Sequence, residues 1–224
     1  MELFSSAWFS ALLAIILIDL VLAGDNAIVI ALAARRLPKS LQTKAVFWGT
    51  FGAVGIRVLL TAVVIYLLKL PGLMLVGGLL LLPIAWKLLH QEEHTHDVAA
   101  AAGFWSALRT IIVADALMGL DNVLAIAGAS RGHLGLVVIG LLISVPLVVW
   151  GSTLILKLIE RFPVIVYIGA GAIAVTAGRM FAHDQLLASV FTGREALRYM
   201  LDAVLVLGIC GGGWLANRRR ARPR

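Results

Sequence analysis

Charge is what this chain has least of. Only 14% of its 224 residues are Asp, Glu, Lys or Arg, whereas 61% are hydrophobic, and the mean hydropathy is +1.00. A soluble domain of this length has too little interior to hide so much apolar surface, so an integral membrane protein is expected. Cysteine is nearly absent as well. The single Cys210 excludes an internal disulfide framework and a metal site built on several thiolates. No His-Glu-x-x-His stretch occurs, which removes that form of zinc-peptidase site. Lys and Arg are missing ahead of the first apolar run, and acids interrupt that run, so no cleavable signal peptide is expected. The net charge of +7 does not point to nucleic acid, because the basic residues gather at the ends of apolar runs.

Those runs are what the chain does have. Segments near the length of a bilayer crossing fall at roughly 7–34, 46–68, 71–90, 104–129, 133–156, 163–182 and 199–217. They predict an all-α, polytopic membrane protein with seven transmembrane helices. Pro71 and Pro163 suit first-turn helix positions. The longer connections are HQEEHTHDVAAAAG (90–103) and HDQLLASVFTGREALR (183–198). Seven spans put the termini on opposite sides. Twelve of the 19 Lys and Arg fall on the side of the C-terminal tail NRRRARPR and five on the other, while Arg57 and Arg109 lie within spans. The positive-inside rule then places the N-terminus outside and the tail in the cytoplasm, against anionic lipid.

Two stretches are costly for a membrane segment, and they match each other. IDLVLAGDNAIVIALAAR (18–35) lies in the first span and ADALMGLDNVLAIAGASR (114–131) in the fourth. A constant step of 96 carries Asp19 to Asp115, Asp25 to Asp121, Asn26 to Asn122 and Arg35 to Arg131. Weaker echoes pair Gly49 with Gly140 and Lys87 with Arg179. Because three spans separate the copies, they cross in opposite directions. The expected organisation is a first three-helix repeat (1–90), a polar His-rich cytoplasmic linker (91–103), an inverted second repeat (104–182), and a loop, seventh helix and basic tail (183–224). Inverted repeats meeting at a midplane site are characteristic of secondary transporters.

An ionised carboxylate in hydrocarbon costs about 2.5–3.5 kcal/mol on insertion scales, so four of them in a duplicated pattern imply use. Asp19, Asp25, Asn26, Asp115, Asp121 and Asn122 are hard oxygen donors suited to Mn²⁺, Mg²⁺ or Ca²⁺. On an unbroken helix Asp19 and Asn26 nearly share a face, while Asp25 points about 120° away. Gly24 and Gly119 suggest local unwinding that would turn Asp25 and Asp121 inward and free backbone carbonyls as ligands. The bland alternative is that the acids are protonated or paired with Arg57 or Arg109 and serve packing alone. Arg57, in AVGIRVLL, is either a counter-charge that helps release a cation or a structural ion partner. Arg109 is a second candidate counter-charge, although its place near the cytoplasmic end of its span favours snorkelling. His90, His94 and His96 either capture cations at the cytoplasmic face or form a solvated polar loop. His183 and Asp184 read as an ordinary loop, and the glycines of spans 3, 6 and 7 as sites of close helix contact.

The tandem acid–x5–Asp–Asn pattern resembles the TerC family of bacterial membrane proteins. GDNAIVIALAARRLP followed by WGTFGAVGIR is particularly similar to its YjbE-type branch. The resemblance implies a metal-ion transporter of the bacterial inner membrane, related in architecture to the LysE superfamily and associated with manganese export and tellurium resistance. The expectation is therefore a non-enzymatic exporter of a divalent cation, foremost Mn²⁺. The ion is transported substrate rather than a resident cofactor; the other partner is the bilayer, with no nucleic acid and the oligomeric state left open. Rivals are a LysE-like exporter of a small cationic metabolite, an intramembrane aspartyl protease using Asp25 and Asp121, and a sensor or accessory subunit. The protease reading is weakened because Leu22-Ala23-Gly24-Asp25 lacks the first glycine of a Gly-x-Gly-Asp element.

Overall fold

The structure, a computed structural model, describes residues 5–35, 37–67, 70–90, 97–130 and 133–220. Among the described residues there is no strand. The helices are α1 (Ser6–Ala34), α2 (Lys39–Leu67), α3 (Leu73–His90), α4 (Asp97–Ser130), α5 (Leu134–Arg161), α6 (Ile165–His183), α7 (Ala188–Phe191), α8 (Glu195–Val206) and α9 (Gly212–Arg220). A π-helical turn, Leu207–Gly211, joins α8 to α9. Among the described residues, five stretches are long and apolar enough to cross a bilayer: Lys39–Val63, Gly103–Leu120, Leu134–Arg161, Ile165–His183 and Glu195–Arg218. α1 makes a sixth when its arms, Ser6–Val21 and Gly24–Ala34, are taken together; they meet at 49°. The bend falls beside Gly24, where the side chain that would stiffen the turn is missing. The apolar stretch of α3, Leu73–Leu89, is shorter.

Several helix ends find side-chain partners for their unpaired backbone groups. Ser5 caps α1 by accepting from the Trp8 amide at 3.2 Å. The Gln42 side-chain amide donates to the carbonyls of Arg35 and Leu37 at 3.0 Å each, closing the turn into α2. Arg35 reaches across to the Leu88 carbonyl at 2.9 Å and covers the end of α3. Asp184 is not the ordinary loop residue its sequence suggests. It is buried, and its carboxylate accepts from the amides of Gly72 (3.2 Å), Leu75 (3.0 Å) and Leu186 (2.9 Å). A carboxylate at the N-terminus of α3 answers both the free N–H groups and the helix dipole. It thereby pins the turn after α6 to the turn that opens α3.

The helices pack in crossed pairs. α1 lies mainly against α5 and α4, α2 against α4 and α5, and α3 against α6, which also carries α8. Two close approaches require glycine. A Cβ on Gly140 of α5 would stand 2.6 Å from Ile15 Cγ2 of α1, and one on Gly49 of α2 would stand 2.8 Å from Ile111 Cδ1 of α4. The two contacts exchange under the sequence match, which carries Ile15 to Ile111 and Gly49 to Gly140.

Two apolar cores result. The larger gathers Val29 to Ala34 of α1 with Val46, Leu81, Leu88, Ile111 and Ile173. The smaller holds Trp8, Ala11 and Ile15 of α1 with Ile126, Leu136, Val137 and Leu141. Large apolar side chains also cover the outside, among them Leu17, Val21, Leu59, Trp150 and Leu154, as a lipid-facing surface demands. Polar side chains are held between the two cores.

Candidate ion site

The centre of that polar layer is built by four helices. Asp19 of α1 and Asp115 of α4 face one another, and Arg57 of α2 lies between them. Arg57 Nη1 donates to Asp19 Oδ1 and Nη2 to Asp115 Oδ1. The Ser144 hydroxyl of α5 donates to Asp19 Oδ2, with the Leu141 carbonyl as its alternative acceptor. None of the four residues is more than 5% exposed. A guanidinium offers two parallel donors at fixed spacing, so it can bridge two carboxylates where an ammonium would serve them less well.

The network is incomplete, and the gaps share one wall. Asp115 Oδ2, Arg57 Nε and both amide heteroatoms of Asn26 are buried without a hydrogen-bond partner. Their residues line a cavity of ≈ 10 Å³ together with Ile30, Thr50, Ala53, Val54, Val145 and Val148. That is room for about one water. Buried polar atoms without partners are expensive, so their collection around one small void marks a place for a bound species. The two halves of the site differ in one detail. The step that takes Gly49 to Gly140 takes Ala53 to Ser144. Asp19 therefore has a hydroxyl to hold its second oxygen, while the matching position beside Asp115 carries only a methyl group. Asp115 Oδ2 is left free for that reason.

Of the residues singled out by sequence, Asp19, Asp115 and Asn26 reach this cavity together. Asp25 does not. It is half-buried in a groove against α6 with Val21, Ala172, Val175, Thr176 and Arg179. Its carboxylate accepts from the Asn26 amide at 2.9 Å and the Thr176 hydroxyl at 3.5 Å. Near Gly119 the expected unwinding does not form, while near Gly24 α1 is broken by a 49° bend that does not bring Asp25 into the cavity. α4 is helical through Gly119 to Asn122. Beyond the bend, Asp25 faces α6 rather than the cavity. Asn122 is buried. The side chains of Asp121 and His90 lie outside the described residues, as do His94 and His96 altogether. Arg57 occupies the site, whereas Arg109 is exposed in an open recess with Lys87, Trp105, Ser106 and Thr110, away from the cavity. Among the described residues, no three His, Cys, Asp or Glu side chains are grouped to hold a metal ion.

Sequence reasoning missed Ser144, Thr176 and Asp202. Ser144 was a lone polar residue within LLISVPLVV, and its depth in an apolar run was the available signal. Asp202 of α8 packs its carboxylate against Gly178 of α6, where a methyl group would displace it. It stands in the last span as another acid in an apolar setting. Chemically, the central cluster brings two carboxylates and one guanidinium into a buried pocket with free oxygen acceptors. It can hold a cation.

A family comparison agrees with the architecture. The sequence model of the integral membrane protein TerC family matches residues 4–221. The chain is 46% identical over 196 residues to the membrane protein YjbE of Bacillus subtilis (strain 168), covering 88% of this chain and 90% of that one. It is 25% identical over 172 residues to the membrane protein YkoY of the same organism, and 29% identical over 181 residues to the protein YegH of Escherichia coli (strain K12). It spans 53% of the length of the first and 34% of the second. No solved structure matches. With the match running over nearly its whole length, the chain belongs to the TerC family of integral membrane proteins.

Proposed function

We propose that the protein exports a divalent cation, Mn²⁺ foremost, across the bacterial inner membrane by alternating access. The observation that carries this reading is the meeting of Asp19 and Asp115, one from each copy of a repeated motif, beside a small cavity inside an apolar bundle. Carboxylate, amide and hydroxyl oxygens replace the hydration shell of a hard cation. The crossed packing supports an inverted repeat of three plus three helices: α1 sits on α5 as α4 sits on α2, and the Ile–Gly contacts exchange. Counting α3 with the bent α1 brings the spans to seven, with the N-terminus outside and the basic tail in the cytoplasm by the positive-inside rule. Alternating access follows if one repeat rocks against the other and opens one apolar core at a time.

A rival reading, export of a small organic cation, draws on the same pair of acids, because they already accommodate a guanidinium. Protection from thermal unfolding separates the two, since Mn²⁺ would protect the first protein and a methylguanidinium or alkylammonium ion the second. The direct test is Mn²⁺ flux in reconstituted vesicles. Wild-type protein is expected to carry Mn²⁺, and Asp19→Asn and Asp115→Asn to lose flux while remaining folded. Wild-type rates in both folded variants would remove these acids from the transport path.

A further inference from the structure

We propose that Arg57 is a built-in competitor for the transported cation: its guanidinium occupies the place between Asp19 and Asp115, and cargo binds there only as Arg57 withdraws. The proposal rests on the reading of Asp19 and Asp115 as the cation site and adds how that site is regulated.

Three observations lead to it. The first is charge. Arg57 engages one oxygen of each acid, so with both acids ionised the closed cluster holds two negative charges and one positive. A divalent ion added beside it would set three positive charges against two negative ones in a pocket with room for about one water. Buried charge must be matched closely, so guanidinium and metal exclude one another. With Arg57 withdrawn, two carboxylates and one divalent ion balance.

The second is asymmetry. The acids are duplicated, but the arginine is not. The step that takes Gly49 to Gly140 takes Arg57 to Val148, which lines the same cavity from the other half. If a buried ion pair were simply the way to tolerate an acid in each repeat, each copy would carry its own cation. One guanidinium instead serves both acids and ties the two halves together while the site is empty of cargo.

The third is the set of acceptors left over. Asp115 Oδ2 and Asn26 Oδ1 have no partner while Arg57 holds the other oxygens. These oxygens are where an arriving cation gains its first ligands before the bridge breaks. The guanidinium then restores the bridge when the ion leaves. It prevents the emptied acids from retaining the cargo or repelling each other, so release does not wait on a second ion.

The test is Mn²⁺ binding to purified protein in nanodiscs, wild type against Arg57→Ala, with flux measured in parallel. Arg57→Ala is expected to bind Mn²⁺ at least tenfold more tightly and to turn over more slowly, because nothing displaces the ion. Its vacated pocket should admit free guanidinium, so guanidinium chloride at tens of millimolar should restore the wild-type Kd in the variant and leave wild type unchanged. Equal Mn²⁺ affinity in the two proteins, or no effect of guanidinium on the variant, overturns the competition while leaving transport standing. Absence of Mn²⁺ binding and flux in wild type overturns the transport reading, and this proposal with it. Should Arg57→Ala fail to fold, Arg57→Lys keeps the charge but not the two-pronged bridge. It is expected to bind Mn²⁺ several-fold more tightly than wild type, and an unchanged Kd would overturn the proposal equally.

Discussion

Whether the guanidinium truly bridges both acids can be measured without any transported ion, by a double-mutant cycle on stability. Arg57→Gln leaves Asp19 and Asp115 facing each other in a buried layer with no counter-charge. Breaking a buried ion pair by removing one partner costs about 3–5 kcal/mol. Unit charges about 4 Å apart interact by about 4 kcal/mol at an effective dielectric of about 20, which gives the same scale. Asp115→Asn is milder, because Arg57 keeps Asp19 and the new amide oxygen still accepts a hydrogen bond; about 1–3 kcal/mol is expected. In the double variant the repulsion between acids is gone, and the remaining Asp19 retains the Ser144 hydroxyl. The combined loss should therefore fall short of the sum by about 2 kcal/mol or more, within the range measured for residues sharing one network. Reversible unfolding by detergent titration in mixed micelles gives the three differences. Losses that add to within about 0.5 kcal/mol would mean that Arg57 and Asp115 do not interact in the folded protein, and the site as described would be wrong.

Two further outcomes follow from geometry. Ala53→Ser gives Asp115 the hydroxyl that Ser144 gives Asp19, so it occupies the free acceptor and should weaken Mn²⁺ binding about tenfold to a hundredfold, on the worth of one hydrogen bond to a charged group; isothermal titration in nanodiscs measures it, and unchanged affinity would mean Asp115 Oδ2 is not a ligand. Gly140→Ala and Gly49→Ala each force a methyl group against an isoleucine, Ile15 and Ile111 respectively, and each should cost about 1–3 kcal/mol in the same unfolding assay. In an Ile15→Ala background for the first and an Ile111→Ala background for the second, which removes the Cγ2 atom that the new methyl group would meet, each glycine substitution should cost less; if only one pair behaves so, the two halves do not pack reciprocally.

The helices were legible because bilayer-length apolar runs leave little choice of structure: the expected spans overlap α1 to α6 and the α8–α9 segment, several overrunning a helix end by one or two residues. The approach of Asp19 to Asp115 was legible too, since expensive residues at matched positions have to meet something. What the sequence concealed depends on rotation and partner choice. Asp25 sits one residue before Asn26, yet it faces α6 rather than the cavity, because 100° separates neighbours on a helix. Glycine beside it suggested an unwound segment; the backbone bends there without bringing Asp25 into the cavity. Arg57 was ambiguous between two roles, since a lone arginine in a span carries no mark of which acids it will reach. Asp184 looked like a loop acid because its partners are backbone amides, and amides leave no trace in a sequence.

The polar layer has hydrocarbon on both sides, with Ile15 and Leu141 in one seal and Ile111 and Val46 in the other. The electrical insulation of the resting protein therefore resides in aliphatic side chains and not in any ring of charge. On the proposed cycle each seal is a door, and a cell's membrane potential depends on the two never standing ajar at once. Loosening one door would alter turnover; loosening both would turn a pump-like cycle into a leak.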